Sequence, residues 1–199
     1  MYRCPLDVLN ARLSIYPGTP IYPDPPIYPR HPFTCARFFM EDILLADLKN
    51  PVHTEAIIFL LNEYAKDEMG GGSGLSEFAR NNLISELQQR PQLLAIIAFV
   101  HDKPAGLAIC IEGFSSFACM PLLNIHDMVV IAEYRGRGIS KKILAKAEEV
   151  ARERNYCKLT LEVLEGNQVA KNAYKSFGFE AYELDPKMGS ALFWQKSLL

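Results

Sequence analysis

Residues 121–151 constrain the fold of this chain more than any other stretch, because a strand, a glycine-containing loop and a helix follow one another there. Residues 123–131 are dense in β-branched and apolar side chains, which is typical of a mostly buried strand. The chain then turns through Gly136 and Gly138. After the turn, apolar residues recur at helical spacing, at Ile143, Leu144, Ala147, Val150 and Ala151. The pattern predicts a central strand that leads through a tight loop into an amphipathic helix.

A loop of this kind directs several backbone N–H groups and the positive end of a helix dipole towards one point. Glycines let an anion approach the backbone closely, so the stretch predicts a phosphate site. Neither GxGxxG nor GxxxxGK[ST] stands ahead of the helix, which excludes the common dinucleotide-binding and P-loop motifs. For the loop taken alone, a plain strand-to-helix turn remains the alternative.

Two motifs, in this order, resemble those of the GNAT N-acetyltransferase superfamily. Residues 135–140 resemble its R/Q-x-x-G-x-G/A loop, which holds the pyrophosphate of acetyl-coenzyme A (acetyl-CoA). Ser140 departs from the final Gly or Ala, but serine is small and keeps its N–H, so a modified cradle is expected. Residues 167–179 resemble the family's N-x-x-A-x-x-x-Y-x-x-x-G-F segment. The resemblance covers about residues 40–199 and is nearest the spermidine/spermine N-acetyltransferase branch.

The predicted order of elements, β-α-α-β-β-β-α-β-α-β-β, is that of the GNAT fold. We therefore expect an α/β protein of mixed α+β type, with a mixed central sheet of about six to seven strands and flanking helices. The predicted strands are residues 43–48, 93–101, 105–112, 123–131, 158–164, 179–184 and 191–198. The predicted helices are about 51–66, about 76–90, one that ends near 155, and 168–177.

Residues 1–39 differ in composition from the rest of the chain. They contain eight of the thirteen prolines and repeat Ile-Tyr-Pro three times. Such a density of proline opposes helices and sheet ladders and favours extended, polyproline-like structure. We interpret the segment as an appendage, with a ligand for a proline-recognition module as the alternative. Residues 40–199 are then expected to form a single GNAT acetyltransferase domain.

Composition narrows the class of protein further. The net charge is −2 and the positive residues are dispersed, so no nucleic-acid partner is expected. The five cysteines are scattered, with neither CxxC spacing nor paired His ligands, so we expect no metal. They are interpreted as reduced, mostly buried thiols. No apolar run is long enough to span a bilayer, and the predicted location is therefore cytoplasmic, with no membrane partner.

The resemblance also implies which residues hold acetyl-CoA. In the family the pantetheine arm pairs with the strand backbone like an extra strand, here at Met128, Val129 and Val130. The other cofactor-binding residues implied are Arg135, Gly136, Arg137, Gly138, Ile139, Ser140, Lys141, Asn167 and Tyr174. Lys142 also flanks the loop, although a helix surface is the ordinary place for both lysines.

Acetyl transfer to an amine needs a proton donor for the leaving thiolate and a base for the amine. By resemblance Tyr174 is the donor, with a core aromatic as the alternative role. His126 and Asp127 are the candidate bases. We select His126, because the nearest branch has at its position a glutamate that acts through water, and because strand alternation puts His126 on the face of Met128. A hydrogen-bonded core histidine is the alternative.

Asp67 and Glu68 lie between the first two predicted helices and, with His126, are the candidate acceptor-binding residues. Their negative charge would attract a cationic amine, whereas a solvated loop is the alternative. The sequence thus predicts an N-acetyltransferase that moves acetyl from acetyl-CoA to a primary amine of a small molecule. A non-catalytic acyl-CoA-binding module and a protein N-acetyltransferase remain alternatives. A homodimer is one assembly that the resemblance implies.

Overall fold

A mixed sheet with helices on both faces forms the part of the chain that the computed structural model describes, residues 41–183, 185, 187, 189 and 191–198. Its strands are β1 (Glu41–Leu45), β2 (Leu93–Val100), β3 (Lys103–Ser115), β4 (Met120–Val130) and β5 (Leu159–Leu161). They lie in this order; β1 to β4 are antiparallel and β5 is parallel to β4. The helices are α1 (Pro51–Lys66), α2 (Glu77–Gln88), α3 (Ile139–Glu153) and α4 (Gln168–Phe177). This is the predicted α/β class of mixed α+β type.

Two hydrophobic clusters, one on each face of the sheet, explain why β2 is a continuous apolar run. Ile96 and Ala98 belong to the cluster that contains the buried residues of α3. Ile97 and Phe99 alternate with them and belong to the cluster that contains the buried residues of α1. A strand that is covered on both faces has no polar side, so its sequence does not alternate.

Local signals determine the limits of α1 and α4, which begin and end where the sequence predicts. Asn50 accepts a hydrogen bond from the amide of Val52 at 3.0 Å, directly before a proline at the first helical position. Asn167 accepts one from the amide of Ala170 at 3.1 Å. Gly178 ends α4 in the left-handed conformation, with φ of 104°. These caps place the side chains of α4, including Tyr174, at defined positions against the sheet.

Strand β4 has a partner on its β5 side only near its middle. The three residues of β5 pair with Leu123–Ile125. Beyond Ile125, no strand among the described residues lies on that side of β4. We call this stretch, residues 126–130, the open edge of β4. Backbone N–H and C=O groups on such an edge can accept an extended partner.

A β-bulge at His126 interrupts the alternation of β4. Consecutive residues of β3 pair with Ile125 and Asp127, so His126 is the extra residue. Ile125 and Met128 therefore both contact the cluster on the α3 face. The predicted placement of His126 on the face of Met128 is wrong, because alternation assumes one partner for every residue.

The two last predicted strands are absent from the described part of residues 179–198. The described residues there show only two signs of strand pairing. Glu183 is an isolated bridge residue, and the amide of Ala191 donates a long hydrogen bond, of 3.4 Å, to the carbonyl of Tyr182. The described sheet accordingly has five strands rather than six to seven.

The two last predicted strands are absent from the described residues because an apolar sequence pattern does not by itself provide a neighbouring strand to pair with. Leu192 and Trp194 lie 74% and 83% exposed, so the apolar residues that suggested a strand are not buried by one. For the same reason β5 is shorter than the predicted 158–164, since it pairs over only three residues. Residues 1–39 lie outside the described residues, and their division from a GNAT domain stays a prediction.

Candidate active site

The backbone of the open edge faces away from β3. The amide of Ile131 donates to the carbonyl of Ala105 at 3.1 Å, so the backbone groups of Ile131 and Val129 point towards β3. Because these groups alternate along a strand, those of Met128 and Val130 point to the opposite side. The three residues that were predicted to hold the cofactor arm thus lie on the open edge, with two of them presenting their backbone outward.

The loop that follows the open edge leaves the start of α3 uncapped by any side chain. Gly136 and Gly138 have φ of 76° and 78°, a conformation that other residues rarely adopt. Gly138 is the N-cap of α3, and no side chain accepts a hydrogen bond from the amides of its first turn. The amides that follow, from Ile139 and Ser140 onward, are therefore available to an anion, and the helix dipole favours negative charge at this point.

The basic residues around the loop differ in their partners. Arg135 donates from Nε to the carbonyl of Val130 at 2.9 Å and from Nη2 to Asp67 at 2.7 Å. Lys142 forms an ion pair with Glu41.

Arg137 and Lys141 are exposed, and neither forms an ion pair with another described residue. Arg137 lies over the ring of Tyr134, 5.4 Å from its centroid. Among the described basic residues of this loop and the first turn of α3, these two side chains are free of an acidic partner and could meet phosphate oxygens.

Tyr174 brings α4 into contact with the open edge. Its hydroxyl lies 3.8 Å from the sulfur of Met128, and its ring meets that of Phe179 edge-on at 6.0 Å between centroids. Burial, reinforced by the nearby Tyr64, raises the pKa of the Tyr174 phenol above its usual value of 10. The phenol is therefore neutral near pH 7 and carries a proton that it can donate.

The two candidate bases lie in different environments. His126 is exposed at the bulge, whereas Asp127 is half-buried on the opposite strand face from Met128. Burial raises the pKa of the Asp127 carboxyl, and the positive charge of His126 opposes this rise. A base works best when its pKa lies near the operating pH, so the structure favours Asp127 more strongly than the sequence did.

Tyr64 is a candidate site residue that the sequence reasoning missed. It lies in the last turn of α1 and packs against the cluster that contains Val129. Burial, followed by the negative charges of Asp127 and Asp67, raises the pKa of its phenol. The available signal was its spacing of four and three residues from the buried Leu60 and Leu61, which puts a side chain with a polar tip on the inner face of the helix.

Asp67 and Glu68, predicted together for the acceptor, are separated by the structure. Asp67 accepts the amide of Met69 at 3.0 Å and the guanidinium of Arg135. The hydrogen bond from Arg135, and then that from Met69, holds the pKa of the Asp67 carboxyl below its usual range. Glu68 is exposed and forms no ion pair within the described ranges.

A small cavity lies where these elements meet. Its volume is about 170 Å³, and it is lined by Glu63, Lys66, Asp67, Val129, Ile131, Ala132 and Arg135. A larger cavity of about 290 Å³ lies between the carboxyl ends of α3 and α4 and is lined by none of the predicted site residues. Of these two cavities, the smaller is therefore the one that adjoins the predicted site residues Asp67, Val129 and Arg135.

The cysteines only partly match their prediction. Cys110 is buried, and burial raises the pKa of its thiol to about 12, whereas Cys119 is exposed and Cys157 is intermediate. Cys4 and Cys35 lie outside the described residues, so the prediction that most of the five thiols are buried stays a prediction. Over the described ranges, no three His, Cys, Asp or Glu side chains gather as metal ligands. No described helix is long and apolar enough to cross a membrane.

An open strand edge, an uncapped helix start and a half-buried phenol together define a site for an extended anionic ligand. The model of the acetyltransferase (GNAT) family matches residues 59–179, more than half of the chain, and the chain belongs to this family. The predicted family and the predicted fold are thereby confirmed.

Curated relatives include two enzymes of one name. The thialysine N-epsilon-acetyltransferase of Bos taurus is 36% identical over 92 residues, which cover 43% of this chain and 53% of the bovine protein. That of Caenorhabditis elegans is 23% identical over 129 residues, which cover 65% of this chain and 78% of the nematode protein. The chain thus spans about half the length of the bovine relative.

Solved structures agree in fold. A probable acetyltransferase is 23% identical with a TM-score of 0.64, and the match covers 78% of this chain and 99% of that one. An aminoglycoside N-acetyltransferase, solved in complex with CoA, is 18% identical with a TM-score of 0.61, over 82% of this chain and 99% of that one. At these identities the likeness shows the fold.

Replacing Gly138 tests the anion cradle. Both Asp and Asn tolerate the left-handed conformation, so Gly138→Asp and Gly138→Asn differ mainly in charge. Two unit charges about 4 Å apart repel by about 1 kcal/mol in water and about 4 kcal/mol near a protein surface, so the Asp variant should bind acetyl-CoA about tenfold more weakly or worse. Calorimetric titration measures both affinities, and equal affinities would show that the loop does not meet phosphate.

Asp127→Asn should raise thermal stability at neutral pH. Since burial raises the pKa of Asp127 in the folded state, stability is lost as pH rises from the unfolded pKa through the folded one. The gain in Tm should therefore be present at pH 7 and vanish below about pH 4. A gain of about 1 kcal/mol corresponds to about 2–4 °C here.

The matched control for this substitution is Asp42→Asn, which changes an exposed carboxylate. Its Tm should equal that of the wild type at both pH values. If Asp127→Asn melts at or below the wild-type temperature at pH 7, the carboxylate of Asp127 does not destabilise the folded protein.

Proposed function

We propose that this chain transfers the acetyl group of acetyl-CoA to the primary amine of a small molecule. The observation that carries the proposal is the position of Tyr174, whose hydroxyl meets Met128 at 3.8 Å on the open edge that continues into the uncapped start of α3. A proton donor thus lies beside the strand that would hold the donor's extended arm. Cleavage of a thioester needs such a proton donor, whereas binding of acetyl-CoA without reaction does not.

The donor would bind in two parts. The pantetheine arm pairs as an extra strand with the outward backbone groups of Met128 and with the amide of Val130, whose carbonyl accepts from Arg135. The pyrophosphate occupies the amides at the start of α3, from Ile139 onward, between the exposed cations Arg137 and Lys141. Asn167 contributes indirectly, because its cap holds α4 and hence Tyr174 in place.

The chemical step would form one bond and break another. The neutral amine nitrogen attacks the acetyl carbonyl carbon and forms the C–N bond, the C–S bond breaks, and the thiolate takes the proton of the Tyr174 hydroxyl. The second proton that the nitrogen loses on becoming an amide returns to the Tyr174 phenolate, so the phenol is restored. The proton lost by the ammonium group goes to a base, for which His126 and Asp127 compete. The raised pKa of Asp127, caused mainly by burial, suits this task, whereas His126, exposed at the bulge, would act through water.

A small cationic amine is the acceptor class that the site favours. The half-buried Asp127 supplies negative charge at the open edge, and the cavity that Asp67 and Val129 help to line has only about 170 Å³. The printed names of relatives include a thialysine N-epsilon-acetyltransferase and a streptothricin acetyltransferase, neither of which names a protein as its acceptor. We therefore rank a small amine above a protein lysine or N-terminus.

The cytoplasmic location and the homodimer of this protein stay predictions. A cytoplasmic location agrees with the free thiols of Cys110, Cys119 and Cys157. A homodimer would cover exposed apolar side chains such as Phe193 and Trp194. No role for nucleic acid or a membrane is proposed.

A panel of amines tests the activity. Thialysine, lysine, spermidine, an aminoglycoside and a peptide with a free N-terminus are each mixed with acetyl-CoA, and the free thiol released is followed. Turnover of a small amine supports the proposal, and preference for the peptide would make the chain a protein N-acetyltransferase. Binding of acetyl-CoA with no turnover of any amine would make it a non-catalytic acyl-CoA-binding module.

Tyr174→Phe should lower kcat and leave the affinity for acetyl-CoA nearly unchanged. The substitution removes one hydroxyl but keeps the ring that meets Phe179. Loss of a general acid typically costs about 10²- to 10⁴-fold in rate. Tyr182→Phe, at an exposed tyrosine, is the control and should keep the wild-type kcat. Wild-type turnover by Tyr174→Phe would leave water or a backbone group as the proton donor.

A fragment of residues 40–199 should keep the acetyl-transfer rate of the full chain. Every residue assigned here to the cofactor or the chemistry lies beyond residue 40, which supports a domain boundary near that point. Melting and initial rate are measured together on both proteins. A fragment that melts normally but reacts much more slowly would mean that residues 1–39 complete the acceptor site.

A further inference from the structure

The ion pair between Asp67 and Arg135 joins two loops. The sequence analysis assigned the loop of Asp67 to the amine acceptor and the loop of Arg135 to acetyl-CoA. Asp67 follows α1 on the proposed acceptor side, and Arg135 opens the cofactor loop, 68 positions later. Their side chains meet with Nη2 of Arg135 2.7 Å from Oδ2 of Asp67. An exposed ion pair by itself contributes little stability, so its importance depends on what each partner holds in addition.

Both partners are anchored to backbone as well as to each other. Arg135 donates from Nε to the carbonyl of Val130 at 2.9 Å. The other carboxylate oxygen of Asp67 accepts the amide of Met69 at 3.0 Å, and its carbonyl accepts the amides of Gly70 at 2.8 Å and Gly72 at 3.1 Å. The guanidinium fork thus connects the end of β4 directly to a hydrogen-bonded turn, residues 67–72, which we call the acceptor turn.

The acceptor turn is itself packed tightly on the end of α1. A Cβ atom on Gly70 would lie 1.8 Å from the carbonyl oxygen of Tyr64 and 3.2 Å from its ring. The amide of Asp67 also donates to that carbonyl at 3.0 Å. The acceptor turn and the backbone of Tyr64 are therefore held together, and burial, followed by the negative charges of Asp127 and Asp67, raises the pKa of the Tyr64 phenol.

Arg135 is poorly placed to serve the phosphates at the same time. Its charge is matched by Asp67, and its Nε is bonded to the outward carbonyl of Val130 at the end of the open edge. Arg137 and Lys141 have no acidic partner in the described part of the chain and are exposed beside the uncapped helix start. The two arginines of the loop therefore differ in role: Arg135 connects Val130 to Asp67, and Arg137 is available to phosphate.

We propose that Arg135 is a positioning residue, which holds the acceptor turn against the end of β4 through Asp67 and so governs binding of the amine rather than of acetyl-CoA. The proposal rests on the proposed function for the identity of the two ligands. Its geometric part, the connection between Arg135 and the acceptor turn, can be measured without any acceptor.

The test compares Arg135→Lys, Asp67→Asn and the double variant, with Arg137→Gln as the matched control in the same loop. Lysine keeps the charge but cannot bond Val130 and Asp67 together with a planar fork. Three quantities are measured in the full-length protein: hydrogen exchange of the amides of residues 69–72, the Kd of acetyl-CoA, and KM and kcat for the best amine of the panel.

Each single variant should speed amide exchange in the acceptor turn and raise the KM for the amine about three- to tenfold, with the Kd of acetyl-CoA nearly unchanged. The double variant should be no worse than either single one, because both remove the same connection. Arg137→Gln should behave oppositely, with weaker acetyl-CoA binding and wild-type exchange in the turn.

Two results would overturn the proposal. If Arg135→Lys leaves exchange in residues 69–72 unchanged, Arg135 does not hold the turn. If Arg135→Lys weakens the binding of acetyl-CoA as Arg137→Gln does, while the KM for the amine stays constant, Arg135 is a phosphate ligand. Should no amine be turned over, the proposed function fails, and the exchange and acetyl-CoA measurements still decide whether the connection exists.

Discussion

The unpaired backbone of β4 beyond Ile125 is the constraint on which the rest of the site depends. β5 pairs with only three residues, so the polar groups of Met128 and Val130 face outward with no described strand beside them. Buried or half-buried backbone groups need partners, and an extended ligand supplies them at low entropic cost when the strand is already rigid. The glycine loop, the start of α3 and Tyr174 all derive their roles from lying next to this edge.

Where structure is decided locally, the sequence was sufficient to predict it. The limits of α4 follow from Asn167, which caps its first turn, and from Gly178, which ends it in a conformation that glycine adopts readily. The continuous apolar run of residues 93–101 predicted a strand, and in the structure two clusters cover β2 on both faces. The same local chemistry identified Gly136 and Gly138 as a loop that exposes the start of a helix.

Where structure is decided by partners distant in sequence, the prediction failed or stopped short. The bulge at His126 depends on the register with β3, which no pattern within β4 reveals. The pairing of Arg135 with Asp67 spans 68 positions, and each residue taken alone suggested a different ligand. Tyr64 resembled any tyrosine on an amphipathic helix, because its significance comes from the carboxylates opposite it.

An open strand edge has a cost in any cell, because it can template the pairing of another chain and so begin aggregation. Two features described above act against this in β4. The bulge breaks the regular spacing that a second strand would need, and the Arg135 side chain occupies the last outward carbonyl, at Val130. A long polypeptide strand needs regular pairing along the whole edge, whereas a ligand arm that pairs only beside Met128 does not, so the two features oppose aggregation and leave that short stretch of backbone open.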